Sequence, residues 1–125
     1  MPNKTPYELH PERFLTVHGR AFPDCTVRLV LKGDRYGSRG CLVYGQDEPC
    51  VEFYDNDYDF SPWLGTRGQF VSSYNLGTLL EHSGGLYLDG GEPKWTLDAN
   101  EMQEIRAWLV DWILAELQGR VRKEH

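Results

Sequence analysis

The run VEFYDNDYDFSPW, Val51 to Trp63, combines four carboxylates (Glu52, Asp55, Asp57, Asp59) with five aromatic rings and contains no Lys or Arg. Alternate carboxylates are how a calcium loop begins, and Asp55, Asp57 and Asp59 have its 1, 3, 5 spacing. The later positions depart from that loop. Phe60 stands where the sharp turn needs Gly, and Thr66 where a bidentate Glu should close the shell. An EF-hand is therefore excluded. Two of the Asp residues would still suit a Mg²⁺ or Mn²⁺ ion that keeps most of its waters. The spacing assigns no metal site and no cofactor.

Rings beside carboxylates suit a different chemistry. Tyr54, Tyr58, Phe60 and Trp63 next to Glu52, Asp55, Asp57 and Asp59 are what a surface for a cationic side chain or a small amine would use. Aromatic residues are also frequent anchors at protein interfaces. The plainer alternative is that Phe53, Phe60 and Trp63 pin a long loop to the core while the Asp residues keep its tip in water.

Other constellations are weaker. Gly33, Gly37 and Gly40 in KGDRYGSRG, with Arg35 and Arg39, suggest a phosphate loop, but neither G-x-x-x-x-G-K-[ST] nor G-x-G-x-x-G is present. A hairpin tip with exposed arginines fits them better. Ser72 and Ser73 do not form G-x-S-x-G, and the four histidines lack H-E-x-x-H spacing. No catalytic residue is assigned. His82, beside Glu81 and Ser83-Gly84-Gly85, is a lone acid or base candidate, and with Asp55 and Asp57 it defines an alternative: small-molecule or metal-dependent activity in a cleft between sheet and helix.

The elements that must position these residues follow from periodicity. Pro2, Pro6 and Pro11 predict an extended N-terminal arm over residues 1–12. RFLTVH, CTVRLVLK, CLVY, CVEFY and GQFVSSY read as short strands. CLVY and CVEFY make a hairpin through GQDEP, and LYLDGGEPKWTL makes another. NLGTLLEHSGG is helically spaced for about two turns before its glycines intervene. Asp98 and Glu101 form a capping box, with Leu97 and Met102 as its staple, opening a helix over 99–118 that Gly119 stops. Met102, Ile105, Trp108, Leu109, Trp112 and Ile113 mark one apolar face, and Val110, Leu114 and Leu117 extend it far beyond the ~100° stripe needed to lie on a sheet. Either the N-terminal arm or a second copy, in a homodimer, must cover that flank. The expected fold is a single α+β domain, residues 1–125: an antiparallel sheet of five to seven strands with the C-terminal helix across one face and Trp95, Trp108 and Trp112 in or beside the core.

Composition limits the function classes. A chain of 125 residues with 40% hydrophobic residues and 13 Gly and 7 Pro is a folded, turn-rich domain. Its net charge of −6 is uneven: residues 47–59 alone carry six acids and no base. That field disfavours nucleic acid and favours a basic protein partner. Cys25, Cys41 and Cys50 contain no C-x-x-C pair and read as buried reduced thiols in a cytoplasmic protein. The N-terminus has no apolar h-region and no window spans a membrane.

Residues 68–109, GQFVSSYNLGTLLEHSGGLYLDGGEPKWTLDANEMQEIRAWL, resemble small bacterial proteins carried on integrative and other mobile elements. The resemblance covers about a third of the chain and implies a bacterial setting, with no activity, ligand or site residue to transfer. The expected function is a non-enzymatic interaction or regulatory protein that uses the acidic-aromatic surface.

Overall fold

The computed structural model describes residues 4–31, 49–62, 64–88 and 95–124, excepting the side chains of residues 58, 59 and 119–124. The elements run α1 (Pro6–Leu9), a 3-10 turn (Pro11–Arg13), β1 (Phe14–Val17), β2 (Cys25–Val30), β3 (Cys50–Ser61), β4 (Thr66–Asn75), α2 (Leu76–Glu81), β5 (Leu86–Tyr87), β6 (Thr96–Leu97) and α3 (Ala99–Glu124). The class is α+β, as the periodicity implies. Among the described residues the six strands divide into an antiparallel β1-β2-β3-β4 sheet and a small β5-β6 pair. The hairpin through GQDEP has its turn and first strand outside the described residues.

The arm is not extended throughout. Thr5 caps α1 by accepting from the Glu8 N–H at 3.2 Å, and Pro6 stands in the first turn, where a missing N–H costs nothing. Pro11 likewise opens the 3-10 turn.

Register separates the two faces of the main sheet. Val27 opposes Phe53, Leu29 opposes Val51 and Cys25 opposes Asp55. The apolar members of this face join Met102, Ile105 and Leu109 of α3 in one buried core, with Trp95, Trp108, Trp112 and Ile113 packed against it. The other face carries Phe14, Arg28, Glu52 and Tyr54, since Phe14 opposes Arg28 and Arg28 opposes Glu52. The arm lies over that second face: Tyr7 meets Phe14 edge to face, with ring centroids 5.3 Å apart, and its N–H donates to the Leu64 carbonyl.

The capping box forms as expected. The Asp98 N–H donates to Glu101 Oε1 at 2.7 Å and the Glu101 N–H to Asp98 Oδ1 at 2.8 Å. Glu101 Oε2 also accepts from the Arg20 N–H at 2.9 Å, which ties the β1–β2 connection to the start of the helix. The helix does not stop at Gly119 but continues to Glu124. One Gly costs only about 1 kcal/mol in a helix interior, too little to end it alone.

Candidate functional site

All the acidic-aromatic residues from Glu52 to Phe60 lie on one strand, β3, where the sequence suggests a strand followed by a loop. The structure divides them into two groups with opposite environments.

The first group is inside. Glu52, Tyr54 and Asp55 are buried, so they do not belong to a surface, which corrects that part of the expected site. Glu52 Oε1 lies 3.1 Å from Arg28 Nη1, both side chains being almost fully buried, and accepts a 2.9 Å hydrogen bond from the Tyr54 hydroxyl. Arg28 sits over the Phe14 ring at 5.8 Å, and Tyr54 packs edge to face on Phe70 at 5.8 Å. The result is a ladder across four strands: Phe14, Arg28, Glu52, Tyr54 and Phe70. Burial, reinforced by the Glu52 charge, pushes the Tyr54 phenol well above its usual range.

Asp55 faces the other way, towards the helix. Its Oδ2 accepts from the Trp95 indole N–H at 2.8 Å and its Oδ1 from the Asp57 backbone N–H at 3.0 Å. Next to it, Asn56 accepts from the Thr26 hydroxyl at 2.8 Å and donates to Asp24 at 3.3 Å. A charged group placed among apolar ones survives only with such partners. Each carboxylate here has them, and the group acts as internal structure.

The second group is outside. After Asp55 pairs with Gln69, the next β3 residue in register is Phe60, opposite Arg67. Residues 56–59 thus bulge against Gly68 alone. Gly68 has φ +133°, and a Cβ there would come within 2.8 Å of Tyr54 Cβ, so glycine permits the close approach of the two strands. Beyond the bulge Asp57 is exposed and Phe60 is 59% exposed. Tyr58, Asp59 and Trp63 have side chains outside the described residues.

Three residues proposed from the helix, Val110, Leu114 and Leu117, are exposed at 43%, 52% and 49%. The arm does not cover them, being occupied on the opposite face of the sheet. His82 Nε2 lies 2.7 Å from the Gly85 carbonyl, while Asp55 is engaged by Trp95. The histidine and the carboxylate therefore serve separate contacts. Among the described residues no group of three or more His, Cys, Asp or Glu is placed to hold a metal ion.

The cysteines differ from one another. Cys25 is a buried free thiol, whereas Cys50 is disulfide-bonded, which corrects the reading of all three as reduced. Cys41 lies outside the described residues.

Sequence reasoning missed Arg28, Thr26, Asn56 and Trp95 as partners of the acidic run. The one available signal was Glu52 between Val51 and Phe53 in a strand, a carboxylate that needs a cross-strand cation if both faces are covered.

Compared with protein-family models, curated proteins and solved structures, the chain matches none.

Proposed function

We propose that the protein is a non-enzymatic interaction protein that offers the end of the β3–β4 hairpin to a basic protein partner. The observation that carries this reading is the 59% exposure of Phe60 on a strand anchored in the sheet. A large exposed ring whose backbone is already paired, here with Arg67, has less freedom to lose when it docks. Asp57 is exposed close by, and the −6 net charge would draw a cationic partner. Relative to the surface expected from sequence, Glu52, Tyr54 and Asp55 leave and Asp57 and Phe60 remain.

A regulatory role in a bacterial cytoplasm is the setting suggested by the resemblance of residues 68–109. The disulfide at Cys50 weighs against a reducing compartment. No helix among the described residues is long and apolar enough to cross a membrane. Of the three groups of the small-molecule or metal alternative, Asp55 and His82 are engaged in separate contacts and Asp57 is exposed, so among the described residues they form no shared site.

The test is a pull-down at low and high salt with the natural protein, Phe60→Ala and Asp57→Asn. A partner held by the natural protein and loosened by salt, lost with Phe60→Ala, and held more weakly and with less salt dependence by Asp57→Asn is the expected result. Equal recovery by all three proteins would reject the hairpin end as the surface.

A further inference from the structure

The N-terminal arm sits on the sheet as a ligand sits on a receptor. The receptor side is built into the fold. Phe14 belongs to β1, in register with Arg28, whose guanidinium lies over its ring at 5.8 Å. Leu64 is buried in the β3–β4 turn, where Ser61 accepts from the Leu64 N–H through Oγ at 3.3 Å and from the Gly65 N–H through its carbonyl at 2.9 Å. The arm side is held by much less. α1 is a single turn, too short to be stable alone. Among the described residues one backbone hydrogen bond joins 5–10 to the rest, from the Tyr7 N–H to the Leu64 carbonyl at 3.1 Å. Pro6 is buried, Tyr7 meets Phe14 edge to face, and a Cβ on Gly65, φ +79°, would run into the Thr5 side chain. Tyr7 and Leu9 nevertheless stay 42% and 41% exposed.

We propose that this seat is a peptide-binding site that the arm fills in cis, and that a partner protein fills it in trans with a segment of the same chemistry: Thr, Pro and an aromatic residue in that order. The resident arm shows what each position supplies. Thr5 Oγ caps its own turn by accepting from the Glu8 N–H at 3.2 Å, and its side chain packs where Gly65 carries none. Pro6 takes the buried position and fixes φ in advance, which lowers the ordering cost of a short ligand. The aromatic residue gives its ring to Phe14 and its N–H to Leu64. His10 and the 3-10 turn separate α1 from β1, so the arm can leave without unpairing a strand. A tethered occupant acts at an effective concentration in the millimolar range. The arm therefore keeps out weak segments and yields to a partner that adds contacts of its own, which makes it autoinhibitory. The site uses neither Phe60 nor Asp57, so it stands or falls separately from the hairpin end.

The probe is the blocked peptide KTPYELH, Lys4 to His10, titrated into the full chain while the NMR signals of the Leu64 and Gly65 amides are followed. In a chain whose own arm is weakened by Pro6→Gly with Tyr7→Ser, the peptide should shift both amides saturably, with a Kd on the order of 100 μM. The natural chain should bind it at least about tenfold more weakly, because its own arm competes. A peptide with Gly and Ser in place of its Pro and Tyr should bind neither. In the natural chain the Tyr7 amide should exchange with solvent at least about 100-fold faster than the slowest amides of β2 and β3. Tyr7 exchange as slow as theirs, or loss of folding in the double variant, makes the arm part of the core and overturns the proposal. A folded double variant that ignores the peptide, or binds the altered peptide equally well, overturns it too. Concentration-dependent dimers of the natural chain that the double variant loses would assign the seat to a second copy's arm and overturn the partner.

Discussion

The two ends of β3 carry the same chemistry and come to opposite uses. Glu52, Tyr54 and Asp55 at its start are buried with Arg28 and Trp95 as partners. Asp57 and Phe60 at its end face water. Residue type does not distinguish the ends, since both contain acids and rings. Coverage does: β2, β4, the arm and α3 enclose the first half, while the bulge at residues 56–59 releases the second from close register. A buried carboxylate contributes to uniqueness of packing only with its partner, and an exposed one contributes to long-range field.

The sharpest way to break this contrast is to remove the cation at the buried end. Arg28→Met takes the guanidinium from a buried, charged Glu52 that the Tyr54 hydroxyl still meets at Oε1, and the expected loss is about 3–5 kcal/mol in urea unfolding followed by Trp fluorescence. That is a large share of the stability of a domain this size. Arg28→Met combined with Glu52→Leu removes that charge too and should recover most of the loss. A single variant that loses under about 1 kcal/mol would mean that water reaches Glu52, and the two ends of β3 would no longer differ in kind.

A smaller effect is expected from pH. Cys25, opposite Asp55 in the β2–β3 register, has its thiol pushed far up by burial, with the charges of Asp55, Asp24 and Glu101 adding to the shift and a backbone hydrogen bond from Tyr54 opposing it. The unfolded thiol ionises from about pH 8.5 while the native one stays protonated. Its contribution is therefore complete below that pH and is lost as pH rises, reaching about 2 kcal/mol by pH 10. Tyr54, shifted in the same direction, extends the loss above pH 10. Between pH 7 and pH 10 the natural protein should lose about 2 kcal/mol more than Cys25→Val does. Parallel curves for the two proteins would show that the thiol ionises in the native state.

Much of the fold was legible because its signals are local. The capping box at Asp98 and Glu101 depends on four consecutive positions, and the alternation of Val27, Leu29 and Leu31 needs only one strand. The pairing of Leu86–Tyr87 with Thr96–Leu97 follows from two apolar runs around a turn. The buried half of the candidate site was hidden because alternation says which residues share a face without saying what covers it. Arg28 and Glu52 fall on the face that reads as polar, and their cover comes from Tyr7 and Phe14, far away in the chain. The length of β3 was hidden too, since Asp-rich sequence reads as loop and only pairing with Arg67 and Thr66 keeps it extended.

The smallest expected effect tests the exposed end. Phe60→Ser removes a ring that is 59% exposed and has no place in the buried core, so unfolding free energy should stay within about 0.5 kcal/mol of the natural protein. That near-zero value separates an interaction surface from a structural one: a ring retained for docking can be removed at little cost to folding. A loss above about 1 kcal/mol would place Phe60 among the residues that hold the hairpin together. The contrast along β3 would then reduce to a difference in depth, and loss of a partner by Phe60→Ala would have to be read as damage to the hairpin.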